Sequence, residues 1–401
     1  MDISNKKKIA LVLSGGGIKA AAYHIGVCLA LKEKGFVFAG GPKEYVRQKY
    51  PFLNSNLANK TISLYVGSSA GAFIAATLAS GRSLESLINA FQVGFGSTPS
   101  YQVPEDENIK PVGYRHLFNL NSGRMLSWLP ESLLQKSILS GGIEVLLKKG
   151  FKLNGLFNTK GIERYLRKYV LDENEFSRLG IELYIVATQL NHSRKSIFGP
   201  FAESYKTKTT KYISYTKISD AVAASTSLPP VFAPYPIIKP DGKTIYHYDG
   251  EIRDTLSTHI ASDNGADLVI ASYSMQPYHF SKEAGSLHTY GIPVILNQAL
   301  YQVLEQKVAK HIQFQNQKKD LFDALKSSCK ELDLSKNIEG KILRLVEEKL
   351  QFNRNVDHIY IAPKPENYEM FFADHFSLNP QILENILRIG FKSGLQALSH
   401  T

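Results

Sequence analysis

The stretch IALVLSGGGIKAAAYHIGV, residues 9–27, sets three consecutive glycines between an apolar run and a helix-forming run. Glycine loses more backbone freedom on ordering than any other residue, so three in a row belong where side chains are unwelcome or a positive φ is needed. The residues before them, KIALVL, read as a strand. Those after, IKAAAYHIGVCLALKEKG, read as a helix that ends at Gly35 with lysines in its last turn, where the helix dipole favours cations. Strand, glycine turn and helix make the first half of a βαβ unit, and something is expected to approach this backbone closely.

A second unit follows. TISLYV (61–66) has the β-branched and aromatic content of a strand, and GSSAGAFIAATLASG (67–81) reads as a small-residue helix ending at Gly81. Two such units argue for a parallel sheet. Residues from about 95 to 160 break the rhythm with the turn-rich GSTPSYQVPEDENIKPVGY and the apolar MLSWLPESLLQKSIL, which holds the single tryptophan, Trp128. This segment is expected to be an insertion over the sheet. IELYIVATQL (181–190), ISDAVAASTSL (218–228), TIYHYDG (244–250) and ADLVIASYS (266–274) then resume the alternation. A long amphipathic helix is expected from about residue 291, with Ile295, Ala299, Val303, Val308 and Ile312 near one face. The tail carries HIYIAP and the helical PQILENILRIGFKSGLQAL. The expected fold is α/β, a mainly parallel central sheet with helices on both faces, an inserted cap, and a helical C-terminal extension. The expected division is 8–275 as the main domain and 276–401 packing back on it.

At 401 residues and 43% hydrophobic, the chain can bury a sizeable core. Its 47 Lys plus Arg against 36 Asp plus Glu leave a net charge of +11, which favours an anionic partner such as an acidic lipid surface. The basic residues form no compact run interleaved with aromatics, so nucleic acid is not indicated. Cys28 and Cys329 lie far apart and point to neither a disulfide framework nor a metal cluster. The start resembles a signal peptide, but Ser14 and the glycines interrupt the apolar run after about five residues, short of the roughly 7 needed. No stretch approaches the roughly 18 to 20 apolar residues of a spanning helix. A cytoplasmic chain, peripheral at membranes, is expected.

Gly67, Ser68, Ser69, Ala70 and Gly71 fit G-x-S-x-G between a strand and a helix, the context in which a serine is exposed on a sharp turn as a nucleophile. The glycine N–H groups of Gly15, Gly16 and Gly17, at a helix start, are candidates for an oxyanion hole. Lys19 is expected to add positive potential there or meet a substrate phosphate, unless it is merely solvated. The same glycines also read as G-x-G-x-x-A, a dinucleotide fingerprint, but the acidic residue about 20 positions on is Glu33, inside the helix rather than at a strand end. For the base, Asp249 ends a strand before Gly250 and would face the same sheet edge as Ser69. Alternation puts His247 on the same face, so a Ser/His pair stays open beside Ser/Asp.

Taken together, the glycine loop with Lys19, the elbow from Gly67 to Gly71 and the Asp249–Gly250 pair resemble the patatin-like phospholipases. Further matches are GLFNTKGIERYL (155–166), YIVATQL (184–190), AVAASTSLPPVFAPY (221–235) and GADLVIAS (265–272), so the resemblance spans most of residues 8–275. It implies a lipid acyl hydrolase, of phospholipase A type, with Ser69 and Asp249 catalytic, Gly15, Gly16, Gly17 and Lys19 at the oxyanion hole, Gly67, Gly71 and Gly250 in support, and neither cofactor nor metal. The implied partners are a phospholipid or other lipid ester and an anionic membrane surface, which the Trp128 stretch is placed to enter if it is not core. An esterase on neutral glycerides or thioesters, or a catalytically degenerate lipid-binding protein, is the alternative. Two positions depart from the family: Ala20 replaces a glycine, and Glu251 sets an extra carboxyl beside Asp249 in place of glycine or alanine. No residue pattern specifies a head group, an sn-position or a protein activator.

Overall fold

The computed structural model describes residues 3–54, 60–92, 108–121, 154–350 and 352–399. Trp128 and its apolar stretch, and most of the expected insertion, lie outside the described residues. In chain order the strands are β1 (Ile9–Leu13), β2 (Val37–Phe38), β3 (Thr61–Ser68), β4 (Asn119–Leu120), β5 (Phe157–Asn158), β6 (Glu182–Gln189), β7 (Lys195–Phe198), β8 (Tyr205–Lys206), β9 (Thr210–Ile213), β10 (Tyr235–Ile238), β11 (Thr244–Asp249), β12 (Leu268–Ser272) and β13 (Asp357–Ile361). The helices are α1 (Gly17–Glu33), α2 (Lys43–Lys49), α3 (Ala70–Ala79), α4 (Leu84–Phe91), α5 (Tyr114–Leu117), α6 (Lys160–Tyr169), α7 (Ile218–Ser225), α8 (Thr258–Asp263), α9 (Ile292–Glu331), α10 (Lys336–Leu350), α11 (Tyr368–Phe372) and α12 (Pro380–Ala397).

The main sheet runs β13-β12-β1-β3-β6-β7-β9-β8, and its centre, β13 through β6, is parallel. β1 is buried along its whole length, as a strand covered on both faces should be. Its alternation divides the core. Ile9, Leu11 and Leu13 face α1, α3, α7 and α12, whereas Ala10 and Val12 face α8 and the middle of α9.

The decisive junction lies on one edge of β6. β3 pairs in parallel with its first part and ends with Ser68 beside Val186. β11 enters from the opposite direction along the same edge and ends with Asp249 beside Ala187, while β7 fills the other edge. Two strands running head-on therefore bring their carboxyl ends together, one carrying Ser69 and the other Asp249.

The residues after 276 are woven into this frame. β13 extends the sheet beside β12, and α12 lies across α1 with the two backbones almost touching. A Cβ on Gly26 would stand 2.0 Å from Leu387 O, and one on Gly390 would stand 2.1 Å from Tyr23 O. α9 turns to the protein only the later part of the face that its aliphatic residues mark, where Val308 is buried and Ile312 packs against the core. Tyr301, Leu304 and Val308 are buried, while Ile295 and Val303 stand 46% and 53% exposed. The contact strip is narrow and is set by Tyr301, which the aliphatic pattern does not weigh. Among the described residues no helix is long and apolar enough to cross a membrane.

Gly390→Ala is expected to lower the unfolding free energy by roughly 2 kcal/mol, because the methyl must displace backbone. Gly340→Ala, where a Cβ would meet nothing within 4 Å in α10, is expected to raise it by about 0.5–1 kcal/mol through helix propensity and chain entropy. Urea unfolding of both variants checks the pair.

Candidate active site

The turn between β3 and α3 holds Ser69 at φ 52° and ψ −122°, a left-handed conformation that a residue with a side chain adopts only when its surroundings enforce it. The enforcement is visible. The Ser69 N–H donates to Ser225 Oγ at 2.8 Å, and that hydroxyl donates in turn to Val186 O at 2.6 Å. The Gly71 N–H donates to Ser14 O at 3.1 Å. Gly71 is required by the same close approach, since a Cβ there would lie 2.2 Å from Leu13 O. The strain, about 1–3 kcal/mol for such a residue, is held by tying the elbow to β6 through α7 and to the end of β1.

Asp249 is buried at the end of β11. Its carboxylate faces the Ser69 side chain and accepts the Glu251 N–H at 2.9 Å. Burial raises its pKa to about 6, and the hydrogen bonds from Ser69 and Glu251 oppose the rise. Gly250 makes the approach possible, because a Cβ there would stand 2.3 Å from Val186 O. His247 is turned elsewhere. Its Nε2 meets Ser196 Oγ at 3.0 Å, its Nδ1 meets Ile245 O at 3.2 Å, and its ring packs edge-on against Phe198. Burial lowers its pKa to about 4. Of the two bases that the sequence leaves open, the structure sets Asp249 against Ser69.

The glycine loop divides in function. Gly16 and Gly17 adopt φ of 133° and 75°, and among the described residues no acceptor takes their amide hydrogens. They lie at the positive end of α1. Gly15 differs, because its N–H is already donated to Glu251 Oε1 at 2.8 Å. Lys19 does not turn toward these amides either. Its ammonium is buried on the carbonyls of Met370, Phe371 and Ala373 at 2.9, 3.3 and 3.1 Å, and 5.4 Å from the centre of the Tyr301 ring. These are the orphan carbonyls at the end of α11, so Lys19 caps that helix from across the fold. Desolvation lowers its pKa to about 7, against a smaller opposing pull from Asp374.

Several positioning groups carry no sequence signal of their own. His24 Nε2 faces Ser14 O at 2.9 Å and must bear the hydrogen, so Nδ1, at 2.8 Å, accepts from Ser272 Oγ. Ser274 Oγ donates to Gly15 O at 3.0 Å, and the Ile18 N–H donates to His375 O at 2.7 Å. Each bond joins the loop to a residue more than 200 positions away, except the one from His24, which comes from its own helix. Ser225 lay in a matched stretch, but only the fold gives it a role.

The profile of the patatin-like phospholipase family matches residues 11–262 of the chain. The chain belongs to this family. It is thus a lipid acyl hydrolase in the family's general sense. No curated protein matches the chain significantly. The patatin-like span holds the glycine loop, the elbow and Asp249, whereas Ser274, His375 and the carbonyl partners of Lys19 lie beyond it.

An apolar cleft, partly open to solvent, leads away from Ser69 between Phe73, Phe91, Phe118, Ile162, Phe232 and Phe376. Phe118 stacks on Phe232 and meets Phe376 edge-on, each at 5.6 Å. Such a wall accepts a hydrocarbon chain and offers it no hydrogen bond. Phe376 belongs to the same segment that Lys19 secures. Lys19→Met would leave three carbonyls without their donor, and urea unfolding is expected to show a loss of roughly 2 kcal/mol. Unchanged stability would mean that the ammonium does not hold the segment.

Proposed function

We propose that the chain is a phospholipase A-type serine acyl hydrolase. What supports this reading is the placement of the Ser69 side chain against the buried carboxylate of Asp249, beside two glycine amides that meet no acceptor among the described residues. Ser69 Oγ attacks the ester carbonyl while Asp249 takes its proton. The Gly16 and Gly17 amides receive the developing oxyanion, an arrangement in which each donor typically contributes on the order of 3 kcal/mol. Asp249 returns the proton to the leaving alcohol. A water then enters, gives its proton to Asp249 and attacks the acyl-enzyme, releasing the fatty acid and restoring Ser69. The aromatic cleft holds the acyl chain, and the net charge of +11 supports an anionic membrane surface as the place where the substrate is met.

Burial supports Asp249 in this role, because a carboxylate with a pKa near 6 is a stronger base than one near 4 and is still ionised at neutral pH. Asp249 must be ionised to accept the proton. Activity is therefore expected to fall as the pH drops through about 6.

The test combines a fluorophosphonate probe with fatty-acid release from vesicles of phosphatidylcholine and phosphatidylglycerol. Ser69→Ala is expected to lose both labelling and release. Asp249→Asn is expected to lose roughly 10³-fold in turnover, and His247→Ala to keep most of it. The reverse ranking of Asp249 and His247 would refute the dyad, and faster turnover of a neutral glyceride emulsion than of either vesicle would replace phospholipid as the substrate.

A further inference from the structure

Glu251 stands where two halves of the site meet and has no place in the mechanism above. Its backbone N–H donates to Asp249 Oδ1 at 2.9 Å, and its side chain turns back so that Oε1 accepts the Gly15 N–H at 2.8 Å. One residue thus joins the base to the oxyanion loop. The fit is close, since a Cβ on Gly15 would fall 2.5 Å from Glu251 Cγ and 2.7 Å from Ser69 Cβ.

The second oxygen, Oε2, is buried and faces the Ser68 hydroxyl, and among the described residues neither has another partner. An ionised oxygen with a single hydroxyl beside it in a dry site is far more costly than the oxygen of a neutral carboxyl. The surrounding charges point the same way. Asp249, from β11, and Asp254, from the following loop, are the charged groups that act on Glu251, and both are acidic. The loop after β1 offers amides, the end of β3 offers the hydroxyls of Ser68 and Ser69, and His24 of α1 is neutral. The Lys307 ammonium of α9 is bound to Ile252 O.

We propose that Glu251 is a positioning residue for the hydrolysis, a carboxyl held protonated that fixes Gly15 so that the Gly16 and Gly17 amides stay aimed at the oxyanion. The proposal rests on the Ser69–Asp249 reading. Two carboxyls sharing one dry site cannot both ionise easily, and the arrangement keeps their roles apart. Burial and then Asp249 push the Glu251 pKa up to about 8, whereas that of Asp249 reaches about 6. Between those values Asp249 is ionised and Glu251 is neutral. Above the upper one, a second negative charge appears next to the base and the hole, and it opposes the charge that develops on the substrate.

The test is the pH dependence of fluorophosphonate labelling in wild type, Glu251→Gln and Glu251→Ala, with infrared difference spectra of wild type against Glu251→Gln. Gln keeps the acceptor for Gly15 and cannot ionise. Wild type is expected to gain rate through about pH 6 and lose it above about 8. Glu251→Gln should keep the rise and lose the alkaline fall, an outcome that a merely structural glutamate would not produce. Glu251→Ala, which frees Gly15, should slow acylation on the order of 10-fold or more, in kcat rather than KM. The infrared spectra should show the carbonyl stretch of a protonated carboxyl at pH 7 that disappears at high pH. An alkaline fall that persists in Glu251→Gln, or a spectrum without that stretch at pH 7, overturns the proposal. If no variant is labelled at all, the Ser69 reading fails, and the infrared arm still decides the state of Glu251.

Discussion

The head-on meeting of β3 and β11 along one edge of β6 is the constraint around which the rest of the site is arranged. Strand pairing alone places Ser68 beside Val186 and Asp249 beside Ala187, which leaves the two strand ends no room for side chains. The Val186 carbonyl shows how tight the junction is. It accepts from Ser225 Oγ, and it would lie 2.3 Å from a Cβ on Gly250. Gly250 at this junction, and Gly71 against Leu13 O at the end of β1, are demands of backbone crowding before they are features of a motif. The strained φ of Ser69 follows as well, because a chain leaving β3 must turn sharply to avoid the end of β11.

A site built from strand ends needs something to hold its loops, and here the C-terminal residues supply it. The glycine loop is fastened through Ser274 to Gly15 O and through His375 to the Ile18 N–H. The segment bearing His375 is in turn fastened by the Lys19 ammonium on the end of α11. α12, locked against α1 at Gly26 and Gly390, fixes the far side of the same assembly. A buried ammonium on carbonyls is a costly device unless each donor finds a partner. It is tolerable here because α11 ends with carbonyls that its own turn cannot satisfy.

How far the sequence could be read follows from the range of the interactions. The two strand–glycine–helix units and the elbow are local patterns, and the sheet and its mostly parallel order are legible from them, whereas the strand-end position of Asp249 sets it at the same edge as Ser69 and leaves His247 open beside it. Lys19 and Gly15 were not legible in this way. The partners of Lys19 lie 351 to 354 residues away, and the partner of Gly15 lies 236 residues away, so neither glycine spacing nor helix position reveals that their donors are already occupied. The face of α9 is legible only in part, for a different reason. Aliphatic periodicity marks Val308 and Ile312, which meet the core, and also Ile295 and Val303, which do not, because the first half of the helix touches the protein through Tyr301, whose ring packs on Phe371 and lies near the Lys19 ammonium. A polar-tipped aromatic counts for little in an apolar stripe and for much in a contact.

With the Lys19 charge turned away, the positive potential at the proposed oxyanion hole comes from backbone amides and the end of α1. Amide dipoles act over short distances and only along their own direction, so a displacement of the loop that a nearby cation would tolerate here removes the stabilisation itself. That dependence accounts for the number of separate ties on a few residues: His24 and Gly71 on Ser14 O, Ser274 on Gly15 O, and Glu251 on the Gly15 N–H. Of these ties, the one through Glu251 alone is made by an acidic group. A permanent negative charge at that point would work against the hole it supports. In the proposed arrangement the hold on the loop and the charge state of Glu251 are thus one requirement, met by burying the carboxyl beside another that ionises first.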